Sequence, residues 1–176
     1  MYPYCKENAF TLFELIAILA ILIILISLGI PYFERFQAKQ EIAQIYPLIQ
    51  QQVSLAKNTA RMRQAEVVIC SSENQQTCGK NQWNKSLIIF IDDNHNKKYE
   101  FGENVIRITN NNFKYGELQW RGGVANLQTV TFQSDTGLPR GSQGAFYYCS
   151  FKLSGENLYI PISQMGNTRL VKIKKC

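Results

Sequence analysis

The sequence predicts an α+β protein: one long N-terminal helix, apolar in its first half and amphipathic in its second, packed on a mainly antiparallel β domain. Three observations carry this expectation. Residues 10–30, FTLFELIAILAILIILISLGI, hold one charge and no proline. From Ala38 the apolar residues Ile42, Ile45, Ile49, Val53, Ala56 and Ala60 recur every three or four positions. After about Ala65 the period changes to short β-branched runs separated by Gly, Asn and Asp clusters.

The apolar run comes first. At about 1.5 Å per residue its 21 residues span roughly 30 Å, the thickness of a bilayer's hydrocarbon core. It has no polar face, which a soluble core helix of this length would show. It is also too long for the apolar region of a cleaved secretory signal, and no small-x-small site follows it. The run therefore reads as a single membrane span. Glu14 is its anomaly, because a carboxylate in hydrocarbon costs on the order of 2.5–3.5 kcal/mol on insertion scales. Either it snorkels to the near interface or another chain supplies its partner.

The amphipathic stretch, residues 31–64, continues the helix with one apolar stripe, as a helix lying on a sheet requires. Pro31 and Pro47 should each kink it or open its hydrogen-bond ladder. Lys57, Arg61 and Arg63 place positive charge where it suits the C-terminal dipole. In residues 65–176 seven runs read as strands: 67–70, 87–91, 105–108, 129–132, 145–148, 158–160 and 170–173. Asn110-Asn111-Asn112, Arg121-Gly122-Gly123 and Asp135-Thr136-Gly137 read as turns between them.

Catalysis finds little support. The only histidine, His95, lies in an Asn-rich turn, and neither a nucleophile–base pair nor a Gly-rich phosphate cradle is visible. No cofactor is implied. One metal pattern is partly present: Asp92, Asn94, Asn96 and Glu103 take positions 1, 3, 5 and 12 of a calcium loop. Position 6, which wants glycine, is Lys97, so the favoured reading is an Asn-rich hairpin loop held by its own side chains and no metal site.

A short polar leader, then Phe-Thr-Leu-Phe-Glu-Leu, then an apolar run closing on Gly29-Ile30-Pro31, resembles the N-terminus of type IV pilins and type II secretion pseudopilins. The resemblance implies a pilin-like fold. It also implies that a prepilin peptidase removes residues 1–9 by cutting between Ala9 and Phe10, after which Phe10 is N-methylated. The family usually has glycine where this chain has Ala9. Glu14 and Pro31 become the fifth and twenty-second mature residues, the family's places for them, and Phe10, Glu14 and Pro31 become the assembly residues. Loss of the leader removes Cys5, and removes Lys6 and Glu7 together, so the net charge of +6 is unchanged.

Cys70, Cys78, Cys149 and Cys176 then remain, and in an oxidising compartment they read as two disulfides. Of the three possible pairings, Cys70–Cys78 is the local one and leaves Cys149–Cys176; closing those loops is worth about 2.5 and 3.5 kcal/mol in the chain-entropy account. A four-thiolate metal site lacks any C-x-x-C spacing.

Further along, Cys70…Cys78…Trp83, Phe90-Ile91-Asp92-Asp93-Asn94, Glu103-Asn104-Val105-Ile106-Arg107, Val130-Thr131-Phe132 and Met165-Gly166-Asn167-Thr168-Arg169 are similar to the GspH/FimT-type minor pilins. The resemblance implies a non-enzymatic subunit of a type IV pilus with a role in assembly or tip priming. It would sit in the bacterial inner membrane with its C-terminal domain in the periplasm until it joins a filament. Its partners would be other pilin or pseudopilin subunits, the prepilin peptidase and the membrane. An H-type pseudopilin of a type II secretion system is the alternative within the fold. A competence pilin that binds DNA for uptake is the alternative of another kind. Some FimT-like pilins hold DNA through a late Gly-Arg-x-Arg motif; here Gly166 and Arg169 remain, and Lys172, Lys174 and Lys175 follow, with Arg140 in another turn. A solvated strand face explains the same charges more simply.

Overall fold

The computed structural model describes residues 11–123 and 128–176. The chain divides into two units, Met1–Gln37 and Ala38–Cys176. Helix α1 runs as one uninterrupted α-helix from Leu12 to Arg63. Pro31 and Pro47 both lie within it, and each leaves one place in its hydrogen-bond ladder without an N–H donor. Thr11 caps its start, its hydroxyl accepting the Glu14 N–H at 3.3 Å.

In the second unit the buried face of α1 consists of Ala38, Ile42, Ile45, Ile49, Val53, Ala56 and Ala60, the stripe visible in the sequence, together with Gln52. Among the described residues there are eight strands rather than seven: β1 Val67–Ser72, β2 Ser86–Ile91, β3 Val105–Asn110, β4 Gly116–Gly122, β5 Thr129–Phe132, β6 Gly144–Ser150, β7 Asn157–Ile162 and β8 Val171–Ile173. β4 is the additional one, and it ends on glycines that read as a turn.

The strands form two four-stranded sheets, ordered β3-β2-β1-β5 and β4-β6-β7-β8, and every pairing is antiparallel. The α1 stripe joins one core with the inner faces of both sheets. Val67, Ile69, Leu87, Ile89 and Phe132 come from the first sheet, and Leu118, Trp120, Phe146, Tyr148 and Ile160 from the second. A second cluster lies on the other face of the first sheet, where Val68, Cys70, Ile88 and Phe90 meet Cys78, Tyr99 and Val105. β1 and β2 are thus buried on both faces, which is why they read as continuous apolar runs rather than alternating ones.

Two glycines are required by close packing. A Cβ on Gly116 would stand 2.3 Å from the Tyr148 ring, and one on Gly144 would stand 2.6 Å from the Trp120 ring. Both allow an aromatic side chain to lie across the neighbouring strand.

Candidate functional site

In the first unit, α1 exposes large apolar side chains along its whole length, from Leu12 and Phe13 through Ile16, Leu19, Ile23 and Ile26 to Phe33 and Phe36. By length and composition it is able to cross a membrane. Glu14 is exposed in the first turn, where a carboxylate suits the positive end of the helix dipole. Pro31 is exposed on the same helix. Ala9 and Phe10 lie outside the described residues, so the cut between them and the pairing of Glu14 with Phe10 have no geometry here.

Cys70 is bonded to Cys78 across 8 residues and Cys149 to Cys176 across 27. The first bridge lies in the second core cluster, where Cys78 packs against Cys70 and its neighbours. The second ties the last residue to β6.

The loop after β2 is organised by its own side chains. The buried Asp92 carboxylate accepts the N–H groups of Asn96 at 3.2 Å and Lys97 at 2.8 Å. The amides of Asn94 and Asn96 donate to Glu100, and Glu103 accepts the Glu100 N–H at 2.9 Å. Burial, together with Asp92, Glu100 and Asp93, raises the Glu103 carboxyl above its ordinary value, against the lowering effect of that N–H bond. Among the described residues no group of three or more His, Cys, Asp or Glu side chains is placed to hold a metal. His95 is largely exposed and its Nδ1 lies 2.9 Å from Glu66.

Of the five basic residues singled out, two face carboxylates. Lys172 pairs with Glu156 at 3.2 Å, and Arg140 pairs with Asp135 at 3.2 Å. Arg140 and the bond from Thr136 hold the Asp135 carboxyl below its usual value, the threonine contributing more. Arg169, Lys174 and Lys175 are exposed, with no ion pair among the described residues. The loop that carries Arg169 is fixed from the helix: Lys57 donates to Met165 O at 2.6 Å, and Tyr46 donates to Thr168 O at 3.3 Å.

Two positioning residues were not expected. Glu41 on α1 accepts the N–H groups of Lys114 at 2.8 Å and Tyr115 at 3.0 Å, and the Tyr148 hydroxyl at 2.5 Å. Burial and that bond push the Tyr148 hydroxyl well above the ordinary tyrosine range. Asn84 reaches β4, its Oδ1 accepting the Leu118 N–H at 2.5 Å and its Nδ2 donating to Gly116 O at 3.4 Å. Nothing in the local sequence hints at either, since each joins segments far apart in the chain.

Comparison with known proteins agrees with this architecture. The family described as type II transport protein GspH matches residues 48–169. No curated protein matches the sequence. Among solved structures, the type IV minor pilin FimU of Pseudomonas aeruginosa strain PAO1 is similar in two crystal forms. The P21 form gives a TM-score of 0.54 at 14% identity, covering 80% of this chain and 92% of that one. The P65 form gives 0.47 at 16% identity, covering 76% and 89%. The first of these shows a shared fold, a long N-terminal helix packed on antiparallel sheets. Since the family match runs from the middle of α1 to the turn before β8 and takes in more than half of the residues, the chain belongs to the GspH family of minor pilins and pseudopilins.

Proposed function

We propose that the chain is a minor pilin, incorporated into a type IV pilus and acting in assembly or tip priming of the filament. The observation that carries this reading is the exposed apolar length of α1, which needs lipid or other helices around it. On this reading residues 1–9 are a leader, residues 10–30 the membrane span, residues 31–64 the amphipathic continuation and residues 65–176 a periplasmic domain. Prepilin peptidase cuts before Phe10, and the two disulfides suit an oxidising compartment. In the filament Glu14 takes the N-terminal ammonium of a neighbouring Phe10 as its partner, which neutralises both charges inside an apolar helix bundle. The test is mass spectrometry of sheared filaments. The reading expects the chain among the filament proteins, beginning at methylated Phe10. Recovery only from the membrane fraction, with residues 1–9 intact, would contradict it.

The family description supports a second reading, an H-type pseudopilin of a type II secretion system, with the same chemistry in a different machine. A DNA receptor role rests on fewer groups, because Lys172 and Arg140 already face carboxylates and Arg169, Lys174 and Lys175 are left to neutralise phosphates.

A further inference from the structure

Each sheet leaves two strands at its edges, and an open edge is a template for a strand of another molecule. Three of the four edges are poor templates. β5 and β8 are only 4 and 3 residues long, and β3 is offset by a register shift against β2. β4, at 7 residues, is the longest edge strand and pairs with β6 without a break.

The pairing with β6 fixes which main-chain groups of β4 face outward. Phe151 N–H donates to Tyr115 O, and Gly123 N–H donates to Gln143 O. Odd-numbered residues therefore turn their main-chain groups toward β6, and Gly116 and Leu118 turn theirs away. Asn84 meets both. Its Oδ1 accepts the Leu118 N–H at 2.5 Å and its Nδ2 donates to Gly116 O at 3.4 Å, the acceptor and donor places that an adjoining strand would fill. Gly116 and Leu118 are accordingly buried although they lie on an edge strand.

The strand behind this cover is complementary to itself. β4 reads Gly-Glu-Leu-Gln-Trp-Arg-Gly. Two copies paired antiparallel about Gln119 set Glu117 of each opposite Arg121 of the other, Leu118 opposite Trp120 and glycine opposite glycine. In-register parallel pairing would set Glu117 against Glu117 instead. The antiparallel pairing needs the Leu118 N–H and the Gly116 carbonyl, the two groups that Asn84 holds. We propose that β4 is a latent self-pairing edge, that its partner is β4 of a second copy of this chain, and that the Asn84 carboxamide keeps it closed. The inference holds whichever machine the chain serves.

The test uses the full chain in detergent with Gln119→Cys, which places a thiol at the two-fold point of the pairing. After mild oxidation, mass spectrometry reads the intermolecular disulfide at position 119, and thermal unfolding reports the fold. With Asn84 intact the expected result is no link at that position. Adding Asn84→Ala produces the link while both native disulfides persist. In that background Glu117→Arg sets like charges opposite each other and abolishes the link, and Arg121→Glu added to it restores the link. Asn84→Asp keeps the Leu118 bond, removes only the donor to Gly116 O and gives the link at lower yield; it takes the place of the alanine variant where that one loses its unfolding transition. A link equally strong with Asn84 intact overturns the closing role. Absence of the link from a folded Asn84→Ala or Asn84→Asp variant overturns the self-pairing edge, and so does a link that Glu117→Arg leaves unchanged.

Discussion

Replacing Glu41 with alanine tests how α1 is fixed to the β domain. One carboxylate serves three donors: the Lys114 and Tyr115 N–H groups at 2.8 and 3.0 Å and the Tyr148 hydroxyl at 2.5 Å. The two N–H groups lie in the segment before β4 and regain water in part, so each loss costs about 0.5–1 kcal/mol. The buried Tyr148 hydroxyl loses a charge-assisted bond worth about 1.5–3 kcal/mol. The total is about 3 kcal/mol, or roughly 6–12 °C of melting temperature for a chain of this size. Tyr148→Phe removes only the hydroxyl bond and should cost about half as much; the double variant should cost less than the two single changes added together. The assay is thermal unfolding of the detergent-solubilised full chain, with hydrogen exchange read at Lys114 and Tyr115. A loss below about 0.5 kcal/mol, with unchanged exchange at both amides, would refute the reasoning.

The same contact makes a pH prediction. Because the folded-state value of Tyr148 is raised, first by burial and then by Glu41, its contribution is complete below the ordinary tyrosine value and is lost as pH rises above it. Ultraviolet titration should therefore leave one of the nine tyrosines protonated when the others have ionised, and Glu41→Gln should bring it down toward them. Replacing Cys149 and Cys176 with serine opens a 27-residue loop and should cost about 3.5 kcal/mol by the chain-entropy account, against about 2.5 for the 8-residue Cys70–Cys78 loop. An equal cost in urea unfolding would contradict that order. Reversing Arg169, Lys174 and Lys175 to glutamate should leave DNA retention in a low-salt gel shift unchanged if those charges are only a solvated surface. A strong loss would favour the receptor role.

Legibility in the sequence followed the range of the interactions. The α1 stripe was visible because helical period alone specifies it, and burial of Ile42, Ile45, Ile49 and Val53 follows from spacing. β1 and β2 were visible for the opposite reason: burial on both faces removes all alternation. β4 was missed although Leu118 and Trp120 do alternate inward, because Glu117, Gln119 and Arg121 dilute its strand propensity and Gly122 imitates a turn. One sheet was expected and two formed, since the β1–β5 and β4–β6 pairings join segments with no local signal of each other. Glu41 and Tyr148 stand 107 residues apart, so no local pattern could link them. Of the candidate basic residues, composition showed the charge but not the carboxylates of Glu156 and Asp135 that answer two of them. Pro47 lies inside α1, where its missing N–H opens the ladder by one main-chain donor without ending the helix.

The central claim is that α1 is an assembly element, with Glu14 serving a neighbouring subunit rather than this chain's own fold. Glu14→Val measures it most directly, by quantifying the variant in the membrane fraction and in sheared filaments of the same cells. The account predicts normal membrane insertion, an intact β domain with both disulfides, and near-complete loss from the filaments. Wild-type recovery of the variant in the sheared filaments would contradict it.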